Sequence, residues 1–279
     1  MRDFQMVDVF GSGPFSGNPV AVVFAADDLD TETMQRITRW FNLSETTFLL
    51  PPTNPDADYR VRIFTLEREL PFAGHPTLGT CHAWLKAGGE PKTDNIVIQQ
   101  CEAGLIQIRR TGERLAFQAP PRIRSGPVDD ATLNEVLQVL RLDSSAIVEA
   151  QWADNGPGWI AVMLESAQAV LSVNAASYHP SGVKIGLVGP HEPGSDAAWE
   201  VRAIFNSENG TLIEDPVTGS LNASVAQWLF ESGRAEGGYV AAQGTKLGRA
   251  GRIHVERDTD GAIWIGGATE SLVSGKAEF

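Results

Sequence analysis

The chain has few of the features that mark secreted or membrane proteins. It contains only two cysteines, Cys81 and Cys101, among its 279 residues. No run of about 18 apolar residues occurs, which a transmembrane helix would need. The first ten residues include the charged Arg2, Asp3 and Asp8, whereas a signal peptide has an uninterrupted apolar stretch there. We therefore expect reduced thiols, no membrane association and a cytoplasmic location.

Positive charge is also scarce. The 22 Lys and Arg residues are outnumbered by 35 Asp and Glu residues, which gives a formal net charge of −13 and a pI near 4.8. Such a chain repels a polyanion on average, and no run of Lys or Arg interrupts the acidity. Nucleic acid is therefore not an expected partner.

Sequence signatures of cofactors and metals are missing as well. The histidines and cysteines are not grouped at metal-ligand spacing, so no metal site is predicted. The glycine-rich stretch at 11–17 leads into a strand pattern instead of a helix, which differs from a dinucleotide-binding loop. No P-loop and no Gly-x-Ser-x-Gly motif occurs. The sequence thus gives no support for a nucleotide cofactor or a serine hydrolase.

What the chain does contain is an internal repeat. The alternating strand pattern at 59–64 has a counterpart at 199–205, and each is followed by a glycine-marked helix start, at Gly74 and at Gly219. Strand, turn and strand patterns then follow in the same order in both halves. Because these matches keep one order at a nearly constant offset, we interpret the chain as two similar halves.

The repeated pattern predicts an α+β fold with two pseudo-symmetric halves, each a curved, mostly antiparallel sheet around one long helix. A further helix is expected between residues 30 and 41. Proline, arginine, serine and glycine replace periodic apolar residues at 120–127, so we place the boundary between an N-terminal half, 1–119, and a C-terminal half, 120–279. The alternative that a last strand, from about 267–279, belongs to the first half stays open.

The two helix starts are candidate anion sites. A helix N-terminus presents unpaired N–H groups and a partial positive charge, and glycine lets a ligand approach the backbone closely. Gly74 and His75 have this arrangement in one half, and Gly219 and Ser220 have it in the other. Equivalent loops of related halves should meet at an interface, which predicts one site for a carboxylate ligand. The structural alternative is that Pro76 is merely a first helical residue and Ser220 merely an N-cap.

Two carboxylates accompany the helix starts. Asp215 lies five residues before Ser220, and Glu45 follows Ser44 at the edge of an apolar strand pattern. A carboxylate at the edge of a buried segment is a candidate acid or base. The structural alternatives are that Asp215 opens an Asp-Pro turn, where it binds nearby N–H groups, and that Glu45 is an ordinary surface residue.

Several motifs together resemble those of the PhzF-like family of phenazine biosynthesis, and the resemblance runs from end to end. They are Phe-Ser-Gly-Asn-Pro-Val-Ala-Val at 15–22, Asn-Leu-Ser-Glu-Thr at 42–46, Gly-His-Pro-Thr-Leu-Gly at 74–79, Glu-Asp-Pro-Val-Thr-Gly-Ser at 214–220 and Gln-Gly at 243–244. The resemblance implies the diaminopimelate-epimerase fold of two pseudo-symmetric halves, a homodimer and no organic cofactor.

The resemblance also implies roles for individual residues. Glu45 corresponds to the catalytic acid/base of the family, with His75 and Asp215 as its catalytic neighbours. The residues implied to bind the substrate, chiefly through backbone amides that receive its carboxylate, are Ser44, Gly74, His75, Gly219 and Ser220.

These roles predict a cofactor-independent isomerase. Glu45 would move a proton on one face of a small carboxylate-bearing metabolite similar to trans-2,3-dihydro-3-hydroxyanthranilate. One alternative is an amino-acid epimerase or racemase of the same fold that uses Glu45 and Asp215 across the substrate. Two-thiol racemisation is not expected, since Cys81 and Cys101 do not lie at the positions where the related epimerases have their catalytic cysteines. A second alternative is a non-catalytic protein that binds a carboxylate metabolite or recruits other enzymes.

Overall fold

Strands account for most of the regular structure of the chain. The computed structural model describes residues 1–180, 182–207 and 209–278. Its strands are β1 (Arg2–Val9), β2 (Asn18–Val23), β3 (Glu45–Leu50), β4 (Tyr59–Thr65), β5 (Glu69–Leu70), β6 (Ile96–Cys101), β7 (Gly104–Thr111), β8 (Arg114–Gln118), β9 (Arg124–Pro127), β10 (Glu149–Asp154), β11 (Trp159–Met163), β12 (Lys184–Pro190), β13 (Trp199–Asn206), β14 (Leu212–Asp215), β15 (Tyr239–Gln243), β16 (Gly251–Arg257) and β17 (Ile263–Ala277).

The α-helices are α1 (Thr31–Phe41), α2 (Gly74–Lys86), α3 (Asp130–Leu140), α4 (Ala167–Ser172) and α5 (Gly219–Glu231). This content confirms the predicted α+β class. No helix among the described residues is long and apolar enough to cross a membrane.

The chain divides into two compact units. The first comprises Met1–Gln118 and Gly266–Phe279, and the second comprises Ala119–Ile265. The strand β17 begins at the end of the second unit and continues into the first. Strand β17 therefore contributes residues to both units.

The strands of the first unit form a barrel. They pair in the order β1–β2–β3–β4–β6–β7–β8, and β17 closes the ring by pairing with both β8 and β1. The pairs β2–β3 and β4–β6 are parallel, while the neighbouring pairs β1–β2, β3–β4, β6–β7 and β7–β8 are antiparallel. The short β5 adds to β4.

Helix α2 packs against five strands of this barrel, β1, β2, β3, β6 and β8. Every residue from Gly74 to Cys81 is buried, as expected for a helix that is covered on most sides. Gly79 permits close contact with β2, since a Cβ atom there would lie 2.3 Å from Cγ1 of Val20. The first half of α2 therefore packs closely against β2, the strand that pairs with β3.

Helix α1 sets the start of β3. The side chain of Asp30 accepts a hydrogen bond from the Thr33 amide at 2.7 Å and thereby caps the helix. Asn42 ends α1 in the left-handed conformation, with φ of 55°. The apolar face of α1 covers Phe48 and Phe64 on the sheet. Strand β3 therefore begins at a fixed position, four residues after Phe41, the last residue of the helix.

The second unit contains the same order of elements in its strands β10 to β16. A hairpin, β10–β11, is followed by α4 and by β12, which runs parallel to β11. β13 is antiparallel to β12, the short β14 adds to β13, and after α5 the strand β15 runs parallel to β13. Strand β9 and helix α3 precede this series, and α3 packs with α4 on an apolar cluster that includes Val136, Val170 and Ile185.

Both predicted glycine helix starts coincide with observed ones, at Gly74 and Gly219, and α1 matches the helix expected between 30 and 41. The two structural alternatives for the helix starts are wrong in detail. The N-caps are Ala73 and Thr218, so Pro76 is the third residue of α2 and Ser220 is the second residue of α5. The helices α3 and α4 were not predicted.

Candidate active site

Glu45 is the first residue of β3, where it pairs with Val20 on β2 and Thr65 on β4. Its side chain is 16% exposed. Ser44, which precedes it, is exposed. A carboxylate at the end of a strand, partly covered and still reachable by solvent, has the setting that proton transfer requires.

His75 is the second residue of α2, and its side chain contacts that of Glu45 on β3. Its imidazole is 4% exposed, and its Nε2 atom lies 3.4 Å from Oε2 of Glu45. Burial lowers the pKa of His75 to about 3, against the opposing effect of a hydrogen bond with the backbone of Pro19. The imidazole is therefore neutral at physiological pH.

The tautomer of His75 follows from these contacts. Pro19 offers only a carbonyl oxygen, so the imidazole must donate an N–H group to it. Because Nε2 faces Glu45, we assign the N–H to Nδ1, which leaves a lone pair on Nε2. A protonated Glu45 can then donate to Nε2. At 3.4 Å the contact is slightly longer than a hydrogen bond, as catalytic contacts often are without substrate.

The first turn of α2 has no side-chain cap, and one of its residues, Pro76, has no N–H group to donate. The N-cap, Ala73, has no side-chain acceptor, and Pro76 has no N–H group. The first-turn amides of Gly74 and His75 therefore lack both an intrahelical acceptor and a capping side chain. Such amides can bind an anion.

The helix start at Gly219, in the second unit, is organised by the β10–β11 hairpin. The indole Nε1 of Trp159 donates to Oγ of Ser220 at 3.0 Å, and Nδ2 of Asn155 donates to the carbonyl of Ser220 at 2.9 Å. With its oxygen already accepting the indole hydrogen, Ser220 presents its own hydroxyl hydrogen as a donor. The predicted anion-binding residue is thus oriented by partners that the sequence motif did not reveal.

Asp215 is the last residue of β14, four residues before α5 begins. Its Oδ2 accepts a hydrogen bond of 2.6 Å from the hydroxyl of Thr218. Thr218 in turn contacts Gln243. Both Thr218 and Gln243 lie inside the family motifs, but the sequence alone indicated no role for either. Their contact depends on the position of β15 beside β13.

Both cysteines are free and buried in the first unit. Cys81 is buried in α2, where burial raises the pKa of its thiol to about 12, and burial also raises the pKa of Cys101 at the end of β6. Neither thiol is activated for acid–base chemistry. Among the described residues no group of three or more His, Cys, Asp and Glu side chains could hold a metal ion.

Similar proteins indicate the class of chemistry. The trans-2,3-dihydro-3-hydroxyanthranilate isomerase of Pseudomonas aeruginosa is 32% identical and covers 99% of both chains. Antisense-enhancing sequence 1 of Schizosaccharomyces pombe is 35% identical over 99% of this chain and 98% of that protein. The structure of a predicted epimerase from Pseudomonas aeruginosa matches with a TM-score of 0.78 at 27% identity, over 99% of both chains.

These relatives and the match to a family model identify an isomerase. The chain belongs to the phenazine biosynthesis-like family, PhzC-PhzF, whose pattern it matches over residues 7–277. The family resemblance drawn from the motifs is thereby confirmed.

Proposed function

We propose that this isomerase transfers a proton on a small carboxylate-bearing metabolite without a cofactor, and that Glu45 carries the proton. The observation that supports the proposal most strongly is the 3.4 Å contact of Glu45 Oε2 with Nε2 of the neutral, buried His75. A lone pair directed at a carboxyl oxygen can hold a proton there between two transfers. A cyclic, unsaturated amino acid similar to trans-2,3-dihydro-3-hydroxyanthranilate suits this chemistry.

The proposed reaction has two proton transfers on one face of the substrate. The Glu45 carboxylate first accepts a proton from an activated carbon, and the electron pair of the broken C–H bond remains in the conjugated substrate. The resulting carboxylic acid is hydrogen-bonded to Nε2 of His75. It then returns the proton to another carbon, which restores the carboxylate. The carbon that loses the proton is formally oxidised and the carbon that gains it is formally reduced, so the substrate as a whole gains or loses no electrons and the steps need no external oxidant or reductant.

We also propose how the substrate is bound. The amides of Gly74 and His75 and those of Gly219 and Ser220 receive its carboxylate, helped by the partial positive charge at each helix start. Asp215 assists proton transfer, and Ser44 contributes a polar contact beside Glu45. Because a positioned base typically provides only about 10²- to 10⁴-fold in rate, orientation of the substrate by these groups must provide much of the remainder.

We infer further that the two units are duplicated halves, each a sheet around a central helix. Support comes from the shared order of elements and from the matching parallel pairs, β2–β3 with β11–β12 and β4–β6 with β13–β15. A homodimer, implied by the family resemblance, is likewise proposed, and sedimentation velocity at several protein concentrations tests it.

Deuterium incorporation tests the proposed reaction. The wild-type protein is incubated with trans-2,3-dihydro-3-hydroxyanthranilate or a close analogue in deuterium oxide, and the product is analysed by NMR. Deuterium should appear at the carbon that receives the proton, because Glu45 exchanges with solvent. Glu45→Gln should lower turnover at least about 10²-fold while an unreactive carboxylate analogue binds with similar affinity. Glu113→Gln, at an exposed position, serves as the control.

Other outcomes would change the assignment. Wild-type turnover by Glu45→Gln would make Glu45 a structural residue. Inversion of a supplied L-amino acid would identify an epimerase or racemase. Binding of carboxylates with no turnover of any candidate would favour a non-catalytic function.

A further inference from the structure

A buried glutamine begins a chain of hydrogen bonds that ends on Asp215. Gln243, the last residue of β15, has no exposed surface. Its Oε1 accepts hydrogen bonds from the Thr218 amide at 3.1 Å and from Nδ2 of Asn222 at 2.7 Å. Because both partners are N–H donors, the orientation of the glutamine amide is fixed, and its Nε2 must act as a donor.

The donor end of Gln243 faces Thr218 and Asp215. Nε2 lies 3.0 Å from Oγ1 of Thr218 and 3.2 Å from the carbonyl oxygen of Asp215. Since Oγ1 of Thr218 accepts this hydrogen, its own hydroxyl hydrogen is directed to Oδ2 of Asp215, at 2.6 Å. Every donor in the chain therefore points towards the carboxylate, which favours its ionised form and fixes its orientation.

Thr218 does not have the usual role of a threonine at the start of a helix. It is the N-cap of α5, yet its side chain accepts no hydrogen bond from the helix amides. Asp30 and Asp129, the N-caps of α1 and α3, both accept such bonds. The hydroxyl of Thr218 is committed to Asp215 instead of to the helix.

The first unit has the same order of elements without this chain of hydrogen bonds. The pairing of β4 with β5 puts Leu70 where the pairing of β13 with β14 puts Asp215. Ala73 is the N-cap that corresponds to Thr218. The register of β4 with β6 puts Cys101 where β13 and β15 put Gln243. None of these three residues of the first unit can form a chain of hydrogen bonds of that kind, so this order of strands and helix does not by itself require one.

We propose that Gln243 is a positioning residue that acts through Thr218 to hold Asp215 as an oriented carboxylate for the isomerase reaction. The inference rests on the proposed function of Asp215. The chain of hydrogen bonds can be tested without measuring turnover. The role of Gln243 and the proposed function of Asp215 can therefore be refuted separately.

The direct test is to titrate the Asp215 side chain by carbon-13 NMR, with the signal assigned from Asp215→Asn. Thr218→Val removes the hydroxyl and keeps the shape, whereas Thr218→Ser keeps the hydroxyl. The titration midpoint of Asp215 should rise by about one pH unit in Thr218→Val and stay close to the wild-type value in Thr218→Ser. An unchanged midpoint in Thr218→Val would overturn the inference.

Gln243→Glu tests the direction of the chain. The introduced carboxylate matches glutamine in size but cannot donate, so the Thr218 hydroxyl should turn towards it and leave Asp215. The midpoint should rise at least as far as in Thr218→Val. A midpoint at or below the wild-type value would contradict the assigned direction. If Gln243→Glu does not fold, the pair Thr218→Val and Thr218→Ser still decides the question.

Turnover then separates positioning from mere stability. In Thr218→Val, kcat should fall about tenfold with KM nearly unchanged, and the acidic limb of the pH–rate profile should move to higher pH. Thr218→Ser should restore both. Unchanged turnover in Asp215→Asn would refute the proposed role of Asp215. That result is distinct from an unmoved titration midpoint in Thr218→Val, which refutes the role of Gln243.

Discussion

Arg202 on β13 and Glu214 on β14 form a two-bonded ion pair, with N–O distances of 3.0 and 2.8 Å. Arg62 on β4 and Glu69 on β5 form the same pair in the first unit, at 2.7 and 2.6 Å. The Arg202 side chain is 4% exposed, whereas that of Arg62 is 19% exposed. The same interaction thus recurs at equivalent pairs of strands, in a drier environment in the second unit.

Arg202→Met should destabilise the protein much more than Arg62→Met. Removing Arg202 leaves the mostly buried Glu214 unpaired, and breaking a buried pair in this way costs about 3–5 kcal/mol. The more exposed pair of Arg62 should contribute about 1 kcal/mol. Urea unfolding of both variants measures the difference. Equal, small losses would show that burial does not determine the contribution of these pairs.

The double replacement Arg202→Met with Glu214→Leu is the matched control. Removing both partners avoids the unpaired carboxylate, so the double variant should recover part of the stability lost in Arg202→Met. Arg202 also donates to the carbonyls of Val170 and Val173 at the end of α4. Recovery should therefore be incomplete.

The cysteines should be dispensable for turnover. Cys81 and Cys101 are buried, and burial raises the pKa of both thiols. The double variant Cys81→Ala and Cys101→Ser should fold with a loss of about 1–2 kcal/mol and retain turnover within about threefold. A thiol reagent should react with the wild-type protein only after denaturation. Loss of several orders of magnitude in a folded variant would restore two-thiol chemistry as an explanation.

The sequence predicts best what depends on local patterns. The helices that begin at Gly74 and Gly219 combine a glycine at the start with apolar residues at helical spacing, and both are observed. The alternation at 59–64 likewise identified β4. Helix α3 was missed, although Asp129 is an N-cap and Val136, Val139 and Leu140 form a buried stripe. The N-cap of α3 follows closely on the proline-rich stretch at 120–127, which the sequence analysis interprets as the boundary between the two halves.

Contacts between distant residues were beyond sequence reasoning. Motifs selected Glu45, His75 and Asp215, but no spacing rule brings Gln243 to Thr218, which lies 25 positions earlier. That contact depends on β15 running parallel to β13, in register with Glu200 and Val201. The partnership of Trp159 with Ser220 depends in the same way on the position of a hairpin beside α5.

Mild acid should destabilise the protein through His75. The pKa of His75 is lowered by burial from 6.5 to about 3, so between these values the unfolded chain binds a proton that the folded protein does not. The free energy of unfolding should therefore fall as the pH falls below about 6.5, by at most about 1.4 kcal/mol per pH unit for this group. The half-buried His82, whose pKa burial also lowers, acts in the same direction.

Urea midpoints between pH 7 and 5 measure this effect in a range where most carboxylates remain ionised. His75→Gln should flatten the dependence, and His82→Gln should flatten it less, because His82 is more exposed. A His75→Gln variant with the wild-type slope would show that the imidazole is protonated in the folded protein or exposed to water.

Ser220 should contribute to carboxylate binding through its hydroxyl hydrogen. The indole of Trp159 donates to its oxygen at 3.0 Å, which leaves the hydroxyl hydrogen to bond with a ligand. Ser220→Ala should therefore weaken binding of a cyclic amino-carboxylate such as anthranilate about five- to tenfold, close to 1–1.4 kcal/mol. Ser224→Ala is the control in the same helix, because the Ser224 side chain is fully buried and bonds to helix carbonyls. Isothermal titration calorimetry compares the two variants, and equal affinities would show that the Ser220 hydroxyl does not bind the carboxylate.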